Sequence, residues 1–182
     1  MTHQLNFIYN DSDWVCPQEY PDLSQAKEIA IDLETKDPNL KTKGSGWATF
    51  DGAIVGFAVA ALGQQWYFPI QHDAGGNMDL GITTAWMQSV LKTPADKIFH
   101  NASYDVGWLL MNGFEIRGKI IDTMIAAAVV DENRFSFSLN ACSKDWLGEI
   151  KNETFLNEKA KEWGIDPKQD LWKLPAGYVG FY

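Results

Sequence analysis

A chain of 182 residues with 46% hydrophobic and 13% aromatic side chains can bury one continuous core, which argues for a single folded unit over residues 1–182. Its 15 Lys and Arg stand against 24 Asp and Glu, a net charge of −9, and this excludes a protein that holds nucleic acid through a basic surface alone. An acidic enzyme acting on phosphates needs divalent cations between its own carboxylates and the substrate, so any such activity is expected to be metal-dependent.

The first residues, MTHQLNFIYNDSDW, carry no charged-then-apolar signal pattern, and no apolar run reaches the length of a bilayer span. Cys16 and Cys142 form neither a CxxC pair nor a disulfide framework, and reduced thiols in a cytoplasmic, soluble protein are expected. Residues 28–34, EIAIDLE, alternate apolar side chains with β-branched Ile29 and Ile31 and predict a core strand. Residues 35–46, polar with Pro38 and several Lys, read as a loop. AIVGFAVAAL at 53–62 and QWYFPI at 65–70 predict two further strands divided at Gly63 and Gln64, so three strands follow in meander order. Helical spacing runs from Asp79 to Lys92, and Pro94 stops it before a short strand at 97–100. A helix over 103–111 follows, with Ser103 as its N-cap and Asn112-Gly113 as its stop. A strand at 119–121 and helices at 123–130, 138–147 and 153–163 complete the pattern, and 167–182 reads as irregular and aromatic-rich. This order predicts an α/β domain of ribonuclease-H-like type, a mixed five-stranded sheet flanked by helices.

Asp32 and Glu34 lie two apart on the first strand and therefore point to the same face. They follow an apolar run, IAI, where burying two carboxylates is unfavourable unless something cationic compensates. Paired carboxylates are hard-oxygen ligands for Mg2+ or Mn2+, and a two-metal site of this kind activates a water and neutralises the leaving oxygen in phosphodiester hydrolysis. A D-x-E spacing also arises by chance in an acidic chain, so its weight comes from its place on the strand, against the plainer reading of a solvent-facing strand end. In HNASYD at 100–105, Asn101 at the turn and Asp105 one turn into the helix would face one crevice at the strand ends. Capping and the helix macrodipole favour the same residue types at those positions. The tryptophans are expected in the core and not as stacking platforms for bases, and His100 is read as a strand-end residue.

IDLET at 31–35, HNASYD at 100–105 and IDTMIAAAVVDENRFSFSLNACSKDWLG at 121–148 together resemble the ordered motifs of the four-carboxylate 3′-5′ exonuclease superfamily, tyrosine subtype. The resemblance covers 28–182 and is closest to the proofreading domains of family A DNA polymerases, phage ones included, and to ribonuclease D. It implies removal of 3′-terminal nucleotides of DNA as nucleoside 5′-monophosphates, with RNA left open as substrate. It further implies that Asp32, Glu34 and Asp105 bind the Mg2+ or Mn2+ pair, that Thr35 and Asn101 seat the 3′-terminal nucleotide, and that Asp122 is a structural helix cap. The family ends in Tyr-x-x-x-Asp, in which the tyrosine orients the attacking water and the Asp is the fourth carboxylate; Tyr182 resembles that tyrosine, which implies a catalytic role in positioning the water, and an alternative alignment places Tyr178 there with Tyr182 at the acid position. In either alignment the fourth carboxylate is missing, so the chain is expected to stop just before it, to have weakened activity, and to have a parent that continues into a polymerase domain. The setting implied is the cytoplasm, that of a host cell for a phage protein, with single-stranded DNA 3′ ends as partner and no membrane. A non-catalytic nucleic-acid-binding or structural module of the same fold is the alternative from another class.

Overall fold

Ile29, Ile31 and Leu33 are buried, while Ala30, Asp32 and Glu34 fall on the opposite face of the same strand, as a two-residue period requires. The computed structural model describes residues 14–149 and 153–181. In it this strand, β1 (Glu28–Lys36), is the centre of a five-stranded sheet completed by β2 (Ala53–Ala61), β3 (Gln64–Pro69), β4 (Asp96–Phe99) and β5 (Ile120–Asp122), in the order β3-β2-β1-β4-β5. The first three strands are antiparallel neighbours and the last two run parallel to β1, so the expected mixed sheet and its meander are present. The β2–β3 hairpin turns on Leu62 and Gly63, both at positive φ (54° and 74°), which is the backbone that a two-residue turn with strand-matched twist requires.

One face of the sheet is closed by α3 (Leu80–Leu91) and α4 (Ala102–Met111). α3 buries Thr83, Met87, Val90 and Leu91, a single stripe, and the Asp79 carboxylate caps it by accepting the Ile82 amide at 2.8 Å. Phe57, Phe68, Phe99, Trp108 and Leu109 fill the layer between. Lys97 is also fully buried, and its ammonium donates to three carbonyls, those of Thr93 (2.8 Å), Ala95 (2.7 Å) and Arg117 (2.8 Å), so the charge is matched by backbone dipoles. The remaining elements are α5 (Thr123–Val130), α6 (Leu139–Leu147), α7 (Thr154–Glu162), a 3-10 turn at Leu171–Lys173 and α8 (Ala176–Phe181). α7, the 3-10 turn and α8 pack on Tyr67 over the other face of the sheet, in a second cluster with Leu156, Leu171, Leu174, Tyr178 and Val179.

Four sequence expectations need correction. β1 is buried on one side only, and Asp32 is exposed, because the face that carries it opens into a cleft. Residues 35–46 are not all loop: β1 runs on to Lys36, then come α1 (Leu40–Lys43) and, after Ser45, α2 (Gly46–Thr49), each a single turn too short to leave a periodic signal. The cap of α4 is Asn101 in the left-handed conformation (φ 70°), not Ser103, and Asn101 makes no side-chain capping bond. Residues 167–182, read as irregular, hold the 3-10 turn and α8, whose apolar sequence acquires its face only from the second cluster.

Candidate active site

The sheet register arranges the open face in rows. Asp32 pairs with Ala58 and Ala58 with Tyr67; one row further, Glu34 pairs with Gly56. Small residues at 30, 58 and 60 leave this face low, and a cleft of about 570 Å3 lies over it, lined by Asp32, Glu34, Ala58, Tyr67, His100 and Thr123 among others. The β1 register shifts immediately after Glu34, a bulge that re-aims the chain. Thr35 thereby reaches a second cleft of about 340 Å3 with Leu40, Tyr104, Leu156 and Lys168, and Glu34 lines both clefts.

Asp105 approaches from α4. It is 3% exposed, and its Oδ1 accepts the Leu33 amide at 3.1 Å, so its carboxyl is tied to the β1 backbone between Asp32 and Glu34. Burial, then the neighbouring Asp32 carboxylate, and to a smaller extent Glu34, push Asp105 up to about 8, against the opposing pull of the Leu33 amide. Three acids crowded in this way are a poor arrangement for folding alone and a good one for a cation. The donor set fits a hard divalent ion, since it is all carboxylate oxygen. Among the described residues no three His, Cys, Asp or Glu side chains converge closely enough to enclose an ion by themselves.

Two residues that sequence reasoning passed over, Tyr104 and Asp37, meet beside Thr35. The Tyr104 hydroxyl donates to Asp37 Oδ2 at 2.9 Å and accepts from Thr35 Oγ1 at 2.8 Å, and burial pushes it up to about 12, so it stays protonated. Asp37 also accepts the Gly46 amide at 2.9 Å, which draws the turn before α2 to the site. A Tyr one residue before Asp105 and an Asp three after Glu34 were visible in the sequence, but nothing there signals that they meet across 67 positions.

Asp122 holds the strand ends in place. Its carboxylate accepts Asn101 and Ala102 amides at the start of α4 (3.1 and 2.8 Å) and Met124 and Ile125 amides at the start of α5 (2.9 and 3.3 Å). Burial works against its ionisation, but those four amides hold the carboxyl below its usual range. The capping role is therefore present twice over, and Asp122→Ala should cost about 2 kcal/mol in denaturant unfolding, with Asp122→Asn milder. Asn101 accepts the Ser103 hydroxyl at 3.1 Å and lines neither cleft. His100 bridges Thr123 Oγ1 and the Phe137 carbonyl, both at 2.9 Å, a strand-end tie as expected. Tyr178 is 2% exposed inside the second cluster and lines neither cleft. Tyr182 lies outside the described residues.

His72 is 3% exposed, and burial lowers it from 6.5 to about 4, with the Leu174 carbonyl and Asp73 opposing. It folds neutral, whereas in the unfolded chain it takes a proton below 6.5; the stability tied to it is complete above 6.5 and is lost as pH falls toward 4. That loss should reach about 3 kcal/mol. The wild-type melting temperature should accordingly fall more steeply over this acid range than that of His72→Gln, and parallel curves would refute the assignment.

A mixed five-stranded sheet of this order, with carboxylates on its central strand and on α4, is of the ribonuclease-H-like type. The chain belongs to the 3′-5′ exonuclease family of DNA polymerase A type, which matches residues 20–174 and whose members are metal-dependent. A DNA-directed DNA polymerase of Pseudomonas phage M6 is 36% identical over 183 residues, covering 97% of this chain but 28% of that protein, so the chain spans less than a third of this relative. Among solved structures, Trypanosoma brucei RNase D superposes with a TM-score of 0.62 at 20% identity over 87% of this chain and 53% of that one. Brucella melitensis NrnC with bound Mg2+ gives 0.54 at 19% identity over 74% and 61%. At such identities these two likenesses are likenesses of fold.

Proposed function

We propose that this domain, as one unit over 1–182, removes nucleotides stepwise from the 3′ end of single-stranded DNA as nucleoside 5′-monophosphates, with Asp32, Glu34 and Asp105 holding Mg2+ or Mn2+. The observation that carries the reading is the tie of Asp105 to the Leu33 amide, between Asp32 and Glu34 on β1, its carboxyl buried and pushed up to about 8 with both of those acids contributing. The bound cations supply a polarised water and charge neutralisation at the leaving oxygen. Asp32 and Glu34 present oxygens from the exposed face of β1, and Asp105 presents its carboxyl from α4 after losing its proton. Cation affinity should therefore rise with pH up to about 8, where the Asp105 proton no longer competes. Thr35 and Tyr104 line the smaller cleft next to Glu34, a place suited to the terminal sugar and base.

The phage relative is a larger DNA polymerase, which favours DNA over RNA and supports a proofreading role beside a polymerase domain. No helix among the described residues is long and apolar enough to cross a membrane. The test is incubation of the chain with 5′-labelled single-stranded DNA and a matching RNA in Mn2+, Mg2+ and EDTA. The expected result is a ladder shortening from the 3′ end of the DNA only when metal is present. Shortening that persists in EDTA, or cleavage that starts inside the strand, would overturn it.

A further inference from the structure

The geometry points to Tyr67 as a positioning residue of the metal site, a hydrogen-bond acceptor that orients a water carried by a divalent cation on Asp32 and Glu34. The inference rests on the carboxylate-site reading proposed above. Tyr67 stands in the row of Asp32, across Ala58, and its ring leans into the row of Glu34 over Gly56. A Cβ at Gly56 would lie 2.2 Å from the Tyr67 hydroxyl oxygen and 2.4 Å from Cζ, so the glycine opposite Glu34 is what lets the hydroxyl sit there. The ring is 6% exposed, yet it lines the same cleft as both acids, and its hydroxyl is raised well above its usual range by burial first and then by Glu34 and Asp32.

The direction of its proton follows from His72. His72 Nδ1 faces the Leu174 carbonyl at 3.1 Å, a pure acceptor, so the imidazole proton is on Nδ1. Nε2 is then an acceptor, and it takes the Tyr67 hydroxyl proton at 2.5 Å. The single proton of Tyr67 is thus committed away from the carboxylates, and its oxygen lone pairs are left beside two negative groups. Those lone pairs can take a donor that enters the cleft, and a water polarised by a cation is a donor of the right strength. Leu174 leads into α8, and the same loop holds this segment through Asp73 N to Trp172 O (3.0 Å) and Ala176 N to Gly75 O (3.1 Å), so the Tyr67–His72 pair has a rigid support.

The test is Mn2+ binding to the whole chain, followed by the loss of the free-ion paramagnetic resonance signal, for wild type, Tyr67→Phe, His72→Leu, His72→Gln and Asp32→Ala. Tyr67→Phe and His72→Leu should each weaken Mn2+ about tenfold, while His72→Gln, which can still donate to Leu174 and accept from Tyr67, should stay within about twofold of wild type. A role in packing alone would not separate the two His72 variants. Wild-type affinity in Tyr67→Phe together with loss in Asp32→Ala would overturn the inference and leave the carboxylate site standing. Undiminished binding in Asp32→Ala, or none in the wild type, would overturn both. Should Tyr67→Phe melt too low to assay, equal affinities in His72→Leu and His72→Gln would be decisive against it.

Discussion

Asp32→Asn should lower metal-dependent cleavage at DNA 3′ ends by on the order of 10³-fold, the several kcal/mol that a correctly held cation contributes to such a transition state. The substitution keeps the size of the side chain and removes only its charge. Because Asp32 lies on the exposed face of β1 and the core face is carried by Ile29, Ile31 and Leu33, the fold should be little disturbed. The same change removes the largest charge that pushes Asp105 up, so Asp105 should titrate lower in the variant, a shift readable from its side-chain carbon resonance. Steady-state kinetics at saturating Mn2+ with a melting curve alongside would decide it. A rate within tenfold of wild type, at unchanged stability, would remove Asp32 from the metal site.

Trp108→Ala should destabilise the domain by about 4 kcal/mol, at the upper end for loss of a large core side chain. The indole is fully buried in α4, and two glycines are shaped to it: a Cβ on Gly46 or on Gly52 would come within 2.9 Å of its ring. Gly52 also has φ 119°, which a side chain would resist on its own account. Since the Trp108 ring also meets Tyr104 edge-on (centroids 6.4 Å apart), the cavity left by alanine would loosen the link between α4 and the 37–52 turn that closes the smaller cleft. Urea denaturation measures the first effect. A cost below about 1 kcal/mol would mean that the site collapses around the cavity far better than this packing implies.

The acids of the site were legible because each carries a local signature. Asp32 and Glu34 interrupt an apolar alternation, and Asp105 stands one turn into a helix that begins at a strand end. Asp122 was legible as a cap for the same reason, although its second set of amides, on α4, comes from 21 and 20 residues away and has no local trace. Tyr67, Asp37 and Tyr104 were passed over because their residue types are ordinary in strands and turns. They become site residues only through contacts that local spacing does not encode.

What the sequence by itself determined is the set of elements with a strong period and the chemistry of the acids. Alternation along β1 and the 3.6 spacing of α3 and α4 are properties of neighbouring residues, so they survive without any knowledge of partners. What only the tertiary structure decided is which face of β1 opens to a cleft, where the short helices at 40–49 and 176–181 form, and how Tyr67, His72 and Leu174 align. The physical reason is that these depend on register: pairing Glu34 with Gly56 makes the room Tyr67 occupies, and a shift of one residue along β2 would turn that face over.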